Sequence, residues 1–241
     1  MNKIALCFHG LIGGIRGKNS NDDGGSSEVL RISYQHNMKN IINCNEKVDV
    51  FVHSWSYDLE NEIDNFYKPK SMLAEKQIMF KVPDYIKHNS ERAFAVFSRW
   101  YSFKEVVELK RQYEIDNNII YDFVLVQRFD LVWNVQVLFD SLNKDVFYIG
   151  NSKLDSKVAI SDRWFISSSK DMDKFSTLYD LISKYTLPGR VHSGICLSNH
   201  YLSRYHLNQL GIKDEIKFNF GPPAGSLPND FNVVRKQYFG G

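Results

Sequence analysis

Short, nearly continuous apolar runs alternate along the chain with longer segments whose apolar residues recur every three or four positions. The runs Lys3–His9, Val48–His53 and Tyr121–Leu131 are too short for a typical helix, and they predict strands buried within a sheet. The segment Glu28–Ile42 carries its apolar residues on one helical face, which predicts an amphipathic helix. Strands that alternate with helices in this way predict an α/β fold with a mainly parallel central sheet flanked by helices.

In the second half of the chain the predicted strands lie closer together, so we expect the sheet to become mixed. No internal repeat or linker divides the 241 residues, which predicts one domain over 1–241 with halves that meet near residue 135 (136–241 being the second). The remaining predicted elements are a helix over 71–80, a helix from a Ser102–Glu105 capping box to Glu114, strands over 147–150 and 158–166, a helix begun by Ser168 and Asp171, a last helix from Ser193 to Gly211, and a strand over 216–220.

Composition narrows the class of protein. A hydrophobic content of 43% with 24% charged residues is ordinary for a soluble globular chain, and a net charge of +2 gives no reason to expect a nucleic-acid partner. Cys7, Cys44 and Cys196 are odd in number and far apart, so they predict neither disulfides nor a zinc site. The first apolar run is too short for a signal peptide or a membrane span. We therefore expect a cytoplasmic protein.

The run Tyr121–Leu131 ends in Arg128 and Asp130, one residue apart. Buried strands of open α/β sheets deliver functional groups at their carboxyl ends, where ligands bind. A carboxylate there can hold a divalent cation or a sugar hydroxyl, and a guanidinium can neutralise phosphate oxygens. The alternative is a surface ion pair where a strand meets a loop.

The loop after the first strand contains Gly10, Gly13 and Gly14, together with Arg16 and Lys18. Glycines between a strand and a helix let backbone amides approach phosphate. The spacing fits neither the Walker motif nor the dinucleotide-binding fingerprint, which argues against a P-loop kinase or sulfotransferase. The alternative is an ordinary disordered loop.

Four further segments carry candidate chemistry, and each has a plain structural alternative. His53 and Trp55 follow the second strand, where an indole can stack on a base or sugar or can anchor the core. Arg99 can reach a diphosphate or can be a solvated charge at a helix start. Asp162 interrupts a strand-like run and can act as a general base, or it pairs with its neighbour in water. His192 can complete a metal site or contact phosphate, although Ser193 as a plain helix cap explains half of that motif.

Taken in order, several segments resemble the glycosyltransferase-like proteins encoded by large DNA viruses, phages and bacterial surface-polysaccharide loci. The resemblance covers the chain to about His192. The segments that carry it are 4–8 with the glycine-rich loop, 48–55, 67–70 with 75–77, 98–102, 121–130, and 162–166 with 172–175.

The resemblance implies a GT-A-like fold that binds a nucleotide-diphosphate sugar, expected to be UDP-linked, in its first half and a glycan acceptor in its second. The Gly10–Lys18 loop, His53, Trp55 and Arg99 would hold the nucleotide. If the source is viral, the location would be the host cytoplasm.

The resemblance also implies the chemistry at the strand end. Arg128 stands where the family pattern places the first acid of its Asp-x-Asp motif, so it can itself offset the diphosphate charge. Alternatively, Asp130 binds Mn²⁺ or Mg²⁺ with His192 as a second ligand. Asp162 would be the base of an inverting displacement. The competing hypothesis is a catalytically silent nucleotide- or carbohydrate-binding module on the same fold.

Overall fold

The computed structural model describes residues 2–13, 25–150, 155–188, 197–217 and 230–234. Within these residues the chain forms an α/β structure with one seven-stranded sheet, a separate two-stranded sheet and helices on both faces of the large sheet. The strands are β1 Lys3–Gly10, β2 Lys47–Ser54, β3 Ser71–Ala74, β4 Phe123–Arg128, β5 Leu131–Trp133, β6 Phe147–Gly150, β7 Trp164–Ser167, β8 Asp214–Lys217 and β9 Phe231–Val233. The α-helices are α1 Ser27–Asn37, α2 Glu60–Tyr67, α3 Ser90–Asn117, α4 Ser169–Ser176, α5 Leu178–Tyr185 and α6 Asn199–Leu210.

The strand order of the large sheet is β3-β2-β1-β4-β7-β6-β8. The first four strands run parallel, whereas β7 runs antiparallel to both β4 and β6. This confirms the predicted α/β class with a mainly parallel sheet that becomes mixed in the second half, and it is consistent with a GT-A-like arrangement. No helix among the described ranges is long and apolar enough to cross a membrane.

Side chains of the central strands alternate between two apolar layers. Ala5 and Cys7 of β1 pack into the layer that contains α3, whereas Leu6 and Phe8 pack into the layer that contains α1. This alternation follows from the two-residue period of a strand, and burial on both faces explains why the runs are continuously apolar. By the same period, His9 lies on the α3 side.

The predicted helix over 71–80 is wrong. Ser71–Ala74 forms the edge strand β3 instead, paired in parallel with β2, and the backbone N–H of Glu75 donates to the carbonyl of Ser54 at 2.9 Å. Pro69 and Pro83 bound this segment on either side. Backbone pairing with β2 outweighs local helical propensity, which is a weak preference.

The capping box predicted at Ser102 is also wrong. Ser102 lies in the middle of α3, a helix of 28 residues, and is fully buried. Its hydroxyl contacts β1 and β2 rather than the backbone of a first helical turn. The predicted stop is confirmed, because Asn118 adopts a left-handed conformation with φ 49°.

The remaining boundaries are partly confirmed. The region 28–42 is α1 followed by a π-helical turn over Met38–Ile42, and Ser168 caps α4 as predicted. The predicted strand over 158–166 shrinks to β7, and the single helix after Ser168 divides into α4 and α5. The last helix begins at Asn199 and ends at Gly211 (φ 63°), while Ser193, Phe218 and Phe220 lie outside the described residues.

Candidate functional site

A row of polar side chains lies at the carboxyl ends of three adjacent parallel strands. In the register of the sheet, His9 of β1 lies between His53 of β2 and Arg128 of β4. The chain runs outward from β1 to β2 and β3 and then returns to the other side of β1 as β4, so the strand order reverses at this point. Crevices at such a switch point are where open α/β sheets bind ligands.

Arg99 and Asp162 join this row from two other elements. Because β7 is antiparallel to β4, its first residues lie beside the carboxyl end of β4, with Trp164 opposite Gln127. This places Asp162 at the same edge of the sheet. Arg99 reaches it from α3: its Nη2 donates to the Asp162 backbone carbonyl, and its Nε lies 3.5 Å from Oδ2. Both side chains are nearly buried, at 10% and 11% exposure.

Arg128 and Asp130 form a bidentate ion pair. Nε of Arg128 donates to Oδ1 at 2.8 Å, and Nη2 donates to Oδ2. Burial alone would lower the pKa of Arg128, but the carboxylates of Asp130 and Asp162 outweigh that effect and raise it. Gly13 packs against Asp130, since a Cβ on this left-handed glycine (φ 53°) would lie 3.6 Å from Oδ2. Four of the side chains that the sequence singles out therefore lie at one edge of the sheet. They form two ion pairs, Arg99 with Asp162 and Arg128 with Asp130.

The centre of the row is His9, which the sequence interpretation did not single out. It is 2% exposed, its ring contacts Phe103 at 5.4 Å between centroids, and its Nδ1 has no hydrogen-bond partner among the described residues. Burial holds the pKa of His9 well below its usual value, and the guanidiniums of Arg99 and Arg128 lower it further. The sequence does contain a signal for this position: His9 lies two residues after Cys7 in the same strand, so both side chains point to the same side of the sheet.

His53 is a buried connector. Its Nδ1 lies 2.6 Å from the hydroxyl of Ser102, which also accepts the backbone N–H of Gly10 at 2.7 Å. Its Nε2 lies 3.1 Å from Oε1 of Glu75. The arrangement fits a Ser102 hydroxyl that donates to Nδ1 and an Nε2–H that donates to Glu75. Burial lowers the pKa of His53, and Glu75 opposes that shift. His53 therefore joins β1, β2 and α3 at one end of the row.

Trp55 packs into an aromatic cluster. Its indole stacks on Tyr101 at 5.5 Å between centroids, contacts His53 edge-on at 4.8 Å and is only 6% exposed. One ring face is thus covered by protein, which leaves little surface on which a base could stack. The geometry favours the core-anchor alternative for this residue.

His200 joins the site without having been predicted. Its Nδ1 lies 2.8 Å from the carbonyl of Ile160 and 3.6 Å from Oδ1 of Asp162, and its side chain is 37% exposed. An Nδ1–H that donates to the carbonyl leaves Nε2 as a proton acceptor. The sequence offered no signal, because the contact joins the first turn of α6 to the segment before β7.

The described residues do not supply a metal donor set. The single carboxylate of Asp130 is held by two nitrogens of the Arg128 guanidinium, and no group of three His, Cys, Asp or Glu side chains with metal-binding geometry occurs among the described ranges. Gly14, Arg16, Lys18 and His192 lie outside those ranges, so their predicted roles have no structural counterpart here. Of the glycines in the loop, Gly10 and Gly13 border the row.

No protein-family model and no curated protein matches this chain. The geometry alone therefore carries the functional inference. It defines a nearly buried cluster at the switch point of an α/β sheet, made of the guanidiniums of Arg99 and Arg128, the carboxylates of Asp130 and Asp162, and the imidazoles of His9 and His53, with the partly exposed His200 beside it.

Proposed function

We propose that this protein is a glycosyltransferase that moves a sugar from a nucleotide-diphosphate donor, UDP-linked, to a hydroxyl of a glycan acceptor with inversion. The observation that supports the proposal is the convergence of Arg99 and Arg128 at the switch point, where open α/β sheets bind ligands. The resemblance in the ordered sequence segments supports the same class.

In this proposal the guanidiniums bind the donor diphosphate. Two positive groups in a poorly solvated site can orient phosphate oxygens and stabilise the charge that develops on the leaving nucleoside diphosphate. Their positions are fixed in advance, because Asp162 holds Arg99 and Asp130 holds Arg128. No step is assigned to a metal ion, since Asp130 is not free to bind one.

Asp162 is the proposed base. It takes the proton of the acceptor hydroxyl while that oxygen bonds to the anomeric carbon, and the bond from this carbon to the diphosphate oxygen breaks. The nucleoside diphosphate leaves with the electron pair. His200 lies beside Asp162 and offers a second proton acceptor at the same edge.

Replacement of the guanidiniums tests donor binding. Arg99→Met and Arg128→Met keep an unbranched, though shorter, side chain and remove its charge, and we expect each to weaken binding of UDP-glucose by about tenfold to a hundredfold, or ~1.5–3 kcal/mol. Arg111→Met is the matched control, because Arg111 lies on the same helix as Arg99, is half exposed and pairs with Glu108 outside the cluster. Isothermal titration with a panel of UDP-, GDP- and dTDP-sugars gives the affinities, and circular dichroism verifies the fold. Wild-type affinity in both variants, or no binding of any donor by the wild type, would refute the proposal.

The silent binding module is the second candidate, and one observation favours it. Both acidic side chains of the cluster are engaged by guanidiniums, so neither is a free carboxylate. Slow hydrolysis of the donor by the wild type, monitored as release of UDP, separates an enzyme from a module that only binds. Binding without detectable hydrolysis or transfer across a panel of glycan acceptors would support the module.

A further inference from the structure

The cluster at the switch point contains a buried imidazole that the proposed reaction does not use. Ionisable side chains from four parts of the fold surround His9: Arg99 from α3, Arg128 from β4, His53 from β2 and Asp162 from the segment before β7. It is nearly inaccessible, and its Nδ1 has no hydrogen-bond partner among the described residues. A buried polar atom without a partner costs about 1–3 kcal/mol, so such an atom points to a role in a bound state.

The charges around His9 balance as they stand. Arg99 and Asp162 cancel, and Arg128 and Asp130 cancel, so the neutral imidazole completes a cluster with no net charge. A diphosphate bound by the two guanidiniums would leave the cluster with a net negative charge, because Asp162 and Asp130 already balance Arg99 and Arg128. Burying uncompensated charge is unfavourable, and a group that can gain a proton relieves the cost.

We propose that a diphosphate binds between Arg99 and Arg128 against Nδ1 of His9, and that binding takes up one proton from solvent, which His9 then carries. The imidazolium donates from Nδ1 to a phosphate oxygen, which gives the unpartnered atom its hydrogen bond. This inference rests on the proposed function for its ligand class, a nucleotide-diphosphate sugar, and adds to it the residue that compensates the charge.

The sign of the pH dependence follows from the environment of His9. In the free protein, burial and the two guanidiniums keep His9 neutral at neutral pH, with a lowered pKa. A bound phosphate favours the imidazolium, so the pKa of His9 is higher in the complex. Between the two values binding takes up a proton, and affinity falls by up to about tenfold per pH unit as pH rises through that window. Above the pKa that His9 has in the complex, the affinity no longer changes with pH through this residue.

Calorimetric titration in buffers of different ionisation enthalpy measures the proton directly. UDP-glucose is the first probe, with GDP-mannose and dTDP-glucose beside it, because their diphosphates are diesters that do not ionise near neutral pH. We expect uptake that approaches one proton per ligand at a pH between the two values. A ¹⁵N spectrum of the histidines should show the neutral form of His9 in the free protein and the imidazolium in the complex.

Three variants assign the proton. His9→Asn can donate a hydrogen bond but gains no proton, so we expect loss of the uptake and a nearly flat dependence of affinity on pH. His200→Asn tests the partly exposed histidine beside Asp162 and should retain the uptake. His36→Asn, on α1 and bonded to the carbonyl of Trp133 outside the cluster, should leave both binding and uptake unchanged.

The outcomes separate this inference from the proposed function. Binding without proton uptake, or uptake that persists in His9→Asn, would overturn the role of His9 and leave the glycosyltransferase proposal intact. If none of the three donors binds the wild type, the proposed function fails and this inference fails with it. Uptake that disappears in His200→Asn but persists in His9→Asn would show that His200, and not His9, carries the proton.

Discussion

At the scale of single residues, the site depends on which partner each charged group selects. The sequence indicated Arg99, Arg128, Asp130 and Asp162 as chemically interesting, and the fold brings all four to one edge of the sheet. The sequence raised an Arg128–Asp130 pair only as a surface alternative, and it did not indicate that Arg99 pairs with Asp162. The Arg99–Asp162 contact joins residues more than sixty positions apart, and no local pattern encodes it.

The Asp162–His200 contact gives a prediction at this scale. If Asp162 is the base, Asp162→Asn should retain donor affinity and lower kcat by about 10²- to 10⁴-fold, the usual contribution of general base catalysis. His200→Asn should lower kcat by less than about tenfold, because in that case the imidazole only neighbours the base. A product assay beside calorimetry of UDP-glucose binding measures both quantities.

The same two variants also provide the result that would contradict Asp162 as the base. A loss of kcat in His200→Asn as large as that in Asp162→Asn would make His200 the base. Asp162 would then be a positioning residue for the imidazole. If Asp162→Asn loses donor affinity instead, the substitution has displaced Arg99 from its position. A lower thermal unfolding temperature of the variant would accompany that displacement.

At the scale of elements, α3 organises the protein more than the sequence suggested. Its apolar positions pack against β1 and β2, and near its middle Arg99 and Ser102 reach the site. Farther along, Lys110 is fully buried and donates to Glu114 at 2.8 Å, Ser169 at 2.5 Å and Asp173 at 2.6 Å, which ties α3 to α4. A lysine in a helical pattern predicts a solvated face, so this contact is beyond sequence reasoning.

The packing of α4, α5 and α6 gives a prediction about acid stability. His206 of α6 is buried against Phe175, and its Nδ1 lies 2.9 Å from the hydroxyl of Tyr185. Burial lowers the pKa of His206 from 6.5 to about 4. Below pH 6.5 the unfolded chain gains a proton that the folded chain does not, so stability is complete above that pH and is lost as pH falls towards 4. The loss from this residue is about 3 kcal/mol.

Urea unfolding of the wild type and of His206→Gln at neutral pH and near pH 4.5 measures this contribution. The variant should be less stable than the wild type at neutral pH, because it alters a buried contact, but it should lose about 2–3 kcal/mol less on acidification. His9 and His53 also have lowered pKa values, so both proteins retain a residual loss. Equal losses in the two proteins would show that His206 is not held neutral by burial.

At the scale of the whole molecule, the sequence sufficed for the architecture and for part of the site. Periodicity identified β1, β2 and β4 because strands buried on both faces have to be continuously apolar. It failed at β3, an edge strand whose backbone pairing overrides its helical pattern, and at the segment 158–166, where only the end enters the sheet. The row of His9, His53 and Arg128 followed from strand parity and register together, and register is a property of the assembled sheet.

The charge of the assembled site leads to a last prediction, about metal dependence. The positive charge at the switch point comes from Arg99 and Arg128, and Asp130 is bound by one of them, so donor binding should not require a divalent cation. We expect the Kd of UDP-glucose in excess EDTA and in MnCl₂ to agree within about threefold, or less than ~1 kcal/mol. Arg128→Met should weaken binding under both conditions, whereas the Arg111→Met control should not. An affinity that rises more than about tenfold with Mn²⁺ would mean that Asp130 leaves Arg128 and that donors such as His192, outside the described residues, complete a metal site.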